Sequence, residues 1–203
     1  MKVRHLILIV FVLFGCFEPM PRDLDSLVQE SKGALFVDPE TNSPHSGPVF
    51  RVADDDSTRV VFRAVLKDGE FHGPFTDYDP ESFRDRPSLG VYQEGEYRNG
   101  LKEGPYAYFY SSGVILGQAS YKSGLRDGSY ASWYESGEPR SEWAYSNGER
   151  NGSYVFYHED GRLWQKGVMA AGERCGEWLE DDVTLTYEPC PSNCCLLYTS
   201  PSP

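Results

Sequence analysis

The amino-acid sequence predicts an all-β protein, an elongated single-layer antiparallel β-meander, and three observations carry that prediction. Glycines recur with a 24-residue step at Gly100, Gly124, Gly148 and Gly172, again at Gly104, Gly128, Gly152 and Gly176, and again at Gly113, Gly137 and Gly161. Aromatics keep the same step: Tyr106, Tyr130, Tyr154 and Trp178; Phe109, Trp133 and Tyr157; Tyr97, Tyr121 and Tyr145. Finally, Asn-Gly, Ser-Gly and Asp-Gly pairs alternate with aromatic and β-branched runs, which is the sequence mark of successive hairpins. A fixed period of this kind signals a repeat array.

Three copies read NGLKEGPYAYFYSSGVILGQASYK, SGLRDGSYASWYESGEPRSEWAYS and NGERNGSYVFYHEDGRLWQKGVMA, and a fourth begins. Each holds two turn signals and therefore two strands. Side chains alternate along a strand, so Tyr106, Tyr108 and Tyr110 share one face while Ala107 and Phe109 share the other. Copies in register are expected to stack like on like, giving columns of Tyr106, Tyr130 and Tyr154 and of Phe109, Trp133 and Tyr157. Cross-strand aromatic pairs contribute roughly 0.2 to 1 kcal/mol each, so the array supplies its own cohesion. Gly100, Gly104, Gly124, Gly128, Gly148 and Gly152 are assigned to the repeat turns. A single layer leaves one face uncovered, and the candidate binding face is Tyr106, Tyr108, Tyr110, Tyr130, Trp133, Tyr134, Tyr154 and Phe156.

The pattern of Asn-Gly, three residues, Gly, then an aromatic and YxxG resembles the MORN repeat, in the bacterial variant found in YwqK-type antitoxin proteins. The resemblance covers residues 33–178 and is strongest over 95–178. It implies a curved antiparallel sheet with a binding or scaffolding role and no catalysis. Through the YwqK label it also implies an alternative, an antitoxin or immunity protein of a toxin–antitoxin system.

From the N-terminus, residues 1–16 join a basic start (Lys2, Arg4, His5) to an apolar run from Leu6 to Phe14, the pattern of an export signal. Leu13, Phe14, Gly15 and Cys16 resemble a bacterial lipobox, which implies acylation of Cys16; an ordinary cleaved signal is the competing reading. Phe17 after that cysteine points to the outer membrane or periplasmic face. Residues 17–25, with Pro19 and Pro21, read as a tether. Residues 26–45 read as a capping hairpin through Leu27–Gln29 and Ala34–Val37, with a short helix through Leu24, Leu27 and Val28 as the competing reading. The array occupies 46–188. Its first copy is degraded: DGEFHGPF sets Gly69 and Gly73 where Gly100 and Gly104 stand, but 31 residues earlier, so seven residues are inserted within 79–89. Residues 189–194 form a Cys-containing end. Residues 195–203, CLLYTSPSP, resemble a translated sequencing adapter and are set aside from fold reasoning, with the authentic chain expected to continue past Cys194.

The whole chain carries 19 basic and 31 acidic residues, and without residues 1–15 the balance is 17 against 31, a net charge of −14. Such a balance disfavours nucleic acid and anionic lipid headgroups, leaving a protein or cell-wall partner and a membrane contact by lipid anchor alone. In an oxidising compartment one disulfide among Cys175, Cys190 and Cys194 is expected, with the pairing open. Catalytic, phosphate-loop and metal-ligand motifs are lacking, so the expectation is a non-enzyme without cofactor or metal. The enzyme alternative would rest on Glu135, Glu142 or Glu159 acting on a glycan. The function expected is an exported repeat lipoprotein acting as a protein-binding or cell-envelope scaffold.

Overall fold

A computed structural model describes residues 20–29, 35–54, 56–78 and 92–192. Cys16 and the signal segment, the whole 79–89 insertion, Cys194 and the 195–203 tail lie outside them. The strands are β1 (Arg22–Asp23), β2 (Val37–Asp38), β3 (Ser43–Pro44), β4 (Gly47–Ala53), β5 (Asp56–Lys67), β6 (Glu70–Phe71), β7 (Gly73–Asp77) and β8 (Tyr92–Arg98). They continue as β9 (Leu101–Phe109), β10 (Ile115–Lys122), β11 (Leu125–Trp133), β12 (Pro139–Ser146), β13 (Glu149–Tyr157), β14 (Leu163–Ala170), β15 (Glu173–Glu180) and β16 (Val183–Thr186). Among the described residues these make one 14-stranded sheet, in the order β1-β4-β5-β7 and then β8 to β16 in sequence, with β6 alongside β5 and β2-β3 as a separate ribbon. Apart from the parallel β1–β4 pair, the sheet is antiparallel. The main contacts join sheet neighbours, so the fold is the elongated all-β meander the repeats predict.

Turn chemistry explains the pairing. At Asn99-Gly100, Ser123-Gly124, Asn147-Gly148 and Ala171-Gly172 both central residues have positive φ, from 48° to 90°, the two-residue hairpin geometry that Asn-Gly favours. Each of these turns is fastened to the copy before it. The amides of Gly124, Gly148 and Gly172 donate to the carbonyls of Lys102, Arg126 and Arg150 at 2.8–2.9 Å. Glu103 and Asp127 accept from the amides of Ser123 and Asn147, so these acids serve the neighbouring turn. At the other edge Tyr110 and Tyr134 donate through Oη to the carbonyls of Trp133 and Tyr157, 3.0 and 2.7 Å away.

Two expectations about the repeat are corrected. Gly104, Gly128 and Gly152 are not turn residues: they sit inside strands with φ of 74° to 107°, at bulges where one residue of the preceding strand faces three. The bulge needs a residue free to adopt positive φ, and glycine does so without a Cβ penalty. Like does not stack directly on like, because equivalent positions lie two strands apart. Intervening strands supply the bridging rings, as in Tyr106–Tyr121 (4.6 Å), Tyr130–Trp143 (4.3 Å) and Trp143–Tyr154 (5.4 Å).

The N-terminal segment is a cap. The tether expected over 17–25 is shorter, because Arg22–Asp23 already pairs with Val49 and Phe50 and a 3₁₀ turn follows at Leu24–Ser26. Val28 bridges Val37, and Arg22 forms an ion pair with Asp38. Leu24 and Leu27 bury against Val49, Ala64, Leu66 and Phe75, closing the first strands on one face. Apolar burial there stabilises the fold at about 25 cal/mol per Å². At the far end Cys175 and Cys190 form a disulfide, and Gly176 exchanges backbone hydrogen bonds with Tyr187 and Glu188. The tail is thereby folded back onto the last bulge.

Candidate interaction faces

Cross-strand register sorts the side chains onto two faces. Tyr106, Tyr121, Tyr130, Trp143, Tyr154 and Trp178 share one, which becomes the aromatic face. Glycine makes room on it: a Cβ on Gly95 would stand 2.7 Å from the Tyr106 ring, and one on Gly167 would enter the Trp178 ring. Each ring lies flat over its glycine and is pinned at its polar end. Tyr106 Oη donates to the Glu96 carbonyl at 2.8 Å, and Trp178 Nε1 to the Val168 carbonyl at 3.1 Å.

The predicted contact residues divide accordingly. Tyr106, Tyr108 and Tyr110 are buried, at 2%, 9% and 6% exposure, and so do not form an open surface. Their neighbours from adjacent strands cover them. Tyr134 is held as an inter-repeat tie. Trp133 pairs with Pro139 and faces away from Tyr130, because the two differ by an odd number of positions along one strand. Tyr130, Tyr154 and Phe156 remain half-buried on the aromatic face.

Sequence reading missed the cations of this face. Lys102, Arg126, Arg150 and Arg174 recur with the same 24-residue step, the second residue after each turn glycine. Each lies over rings: Lys102 Nζ is 4.7 Å from the Tyr106 centroid, Arg126 5.3 Å from Tyr145, Arg150 4.7 Å from Trp143 and Arg174 4.4 Å from Trp178. Such pairs contribute about 0.5–1 kcal/mol where exposed. Burial lowers the Lys102 ammonium pKa. Burial pushes the Tyr121 phenol up, but hydrogen bonds from Tyr108 and Arg126 outweigh it, and the net shift is downward. Arg126 also donates to Tyr145 at 2.9 Å, joining two copies.

The opposite face is acidic. From β8 to β15 the register places Glu94, Glu96, Glu103, Asp127, Glu142, Glu149, Glu173 and Glu177 there, against Arg98, Lys122 and Lys166. The strands β9 to β15 put one acid, Glu180, on the aromatic face, and it pairs with Arg174 at 3.0 Å. The net negative charge is therefore not spread evenly. On the acidic face an open trough of about 570 Å³ crosses β7 to β11, lined by the small side chains of Thr76, Ala107, Ser120, Ser129 and Ala131, with Glu94 and Glu96 at its side. Glu135 accepts from Ser112 Oγ at 2.8 Å beside a hairpin loop, Glu159 follows the end of β13, and Glu142 lies mid-strand on the acidic face. Among the described residues no group of His, Cys, Asp and Glu is placed to hold a metal ion.

Fold and faces define a class: a β-repeat protein built on one long sheet. No protein-family model and no curated protein matches the chain. Among solved structures, the crystal structure of a GtfA/B complex bound to UDP and GlcNAc matches at a TM-score of 0.19 and 11% identity, over 64% of this chain and 22% of that one. At that score the likeness bears on neither fold nor activity.

Proposed function

We propose that this is a non-enzymatic, exported repeat lipoprotein of MORN type that binds a partner protein through its acidic face. The observation that carries this reading is the trough, where small side chains leave room and Glu94 and Glu96 favour a basic segment. Support for export comes from the basic-then-apolar start ending at Cys16 and from the Cys175–Cys190 disulfide, which suits an oxidising compartment. Support for a scaffold comes from the array itself, whose repeats build an extended surface.

The test is a photo-crosslinking amino acid at Gln118, inside the trough, in cells that express the protein. A discrete protein adduct is expected, lost when Glu94 and Glu96 are both changed to Lys. Absence of an adduct, or an adduct indifferent to that charge reversal, contradicts the reading. In the same cells Cys16→Ser is expected to move the protein out of the membrane fraction.

A further inference from the structure

The aromatic face carries a second inference, independent of the trough on the opposite side. Lys102, Arg126, Arg150 and Arg174 form one row along the long axis of the sheet. Consecutive members are two strands apart, roughly 9.6 Å at the ordinary strand spacing. Between them lie partly open rings, with Tyr130, Trp143 and Tyr154 stacked into a continuous apolar strip. The first member, Lys102, lies over Tyr106, which belongs to the same buried cluster as Leu24 and Leu27, and the later members continue the row beyond it.

The geometry points to an acidic polysaccharide as the ligand of this face: a β-linked chain bearing one carboxylate per disaccharide, laid along the row. A β-linked disaccharide advances by about the same distance as two strands, so each carboxylate meets one cation while the sugar faces rest on the rings. Arginine suits this role because its planar fork matches a carboxylate and stacks on aromatics. An acidic peptide fits less well. Extended chains bring same-side side chains round every roughly 6.7 Å, out of step with the row. Arg150 is exposed and lies over the Trp143 and Tyr154 rings, whereas Arg174 already holds Glu180 and would share it. The row also explains why the cations concentrate on one face of an acidic protein.

The probe is a hyaluronan octasaccharide, titrated against the full-length protein in neutral detergent and followed by tryptophan fluorescence. Binding is expected, and it should strengthen with length from one disaccharide to four and then level off, because four cations are met in turn. Arg150→Gln should weaken it about fivefold, the scale of one exposed ion pair, whereas Lys166→Gln on the opposite face should leave it unchanged. Added salt should weaken it further. A neutral chitin oligosaccharide of equal length, or poly-glutamate of equal charge, binding as tightly would overturn the inference, as would absence of binding or affinity without length dependence. The length series uses the unaltered protein, so the inference stays falsifiable even where a variant loses stability. Glu94→Lys with Glu96→Lys, which tests the trough, should not affect glycan binding.

Discussion

A glycine can be required for two different physical reasons, and this array uses both. At Gly124 the turn holds φ at 84° and leaves ordinary space around an added methyl, so Gly124→Ala should cost about 1–2 kcal/mol through backbone strain alone. At Gly167 the backbone is extended but the Trp178 ring occupies the space of a side chain, and Gly167→Ala should cost at least as much, about 1–3 kcal/mol, by displacing that ring. Chemical denaturation separates the two, because loss of the ring's seat also changes the near-ultraviolet signal of Trp178. Phenols give a pH prediction at the same scale. Burial raises the pKa of Tyr97, Tyr106, Tyr108 and Tyr130 in the folded state. Unfolded tyrosine ionises near pH 10, so the stability these four contribute is retained in full below about that pH and lost above it, as their phenols release protons in the unfolded chain first. Thermal melting from pH 8 to 12 should show a plateau and then a fall. Uniform melting across that range contradicts the burial.

At the level of the strand and the turn, much was legible in the sequence. Asn99-Gly100 and its equivalents gave each hairpin, because few residues other than Gly and Asn tolerate the φ those turns need. Two features were hidden. Gly104 and its equivalents share the turn glycines' period, and period alone does not tell a turn from an in-strand bulge; only the pairing register does. The interleaving of Tyr106 with Tyr121 was missed because like positions were stacked by sequence number, although antiparallel pairing places another strand between them. The cation row is legible in the letters LKEG, LRDG, ERNG and ERCG, but its place over the rings is set by pairing register and not by spacing alone. The disulfide pairing was open from spacing and is settled by the fold-back at Gly176. Cys190→Ser, which opens a loop of 15 residues, should cost about 3 kcal/mol on the chain-entropy account. Unfolding of the variant beside the parent under oxidising conditions checks it, and equal stability would deny the tail a fastening role.

At the scale of the whole molecule, the described sheet from β8 to β16 is one layer whose two faces differ in kind. Overall composition suggested a uniformly acidic surface, but alternation along strands separates what composition sums. Cations and rings go to one face; acids and small side chains go to the other. This follows from the hairpin register, which returns every copy of a position to the same side of the sheet. Function on this account comes from surface, with each added copy lengthening both faces by the same step. Nitroxide labels on the equivalent exposed positions Ser111, Glu135 and Glu159 measure that step by pulsed dipolar spectroscopy. The account predicts backbone separations near 10 Å for each neighbouring pair and near 20 Å for the outer pair, at two strands per copy. An outer separation no larger than the inner ones would mean that the copies fold back on each other, and the single-layer sheet would be wrong.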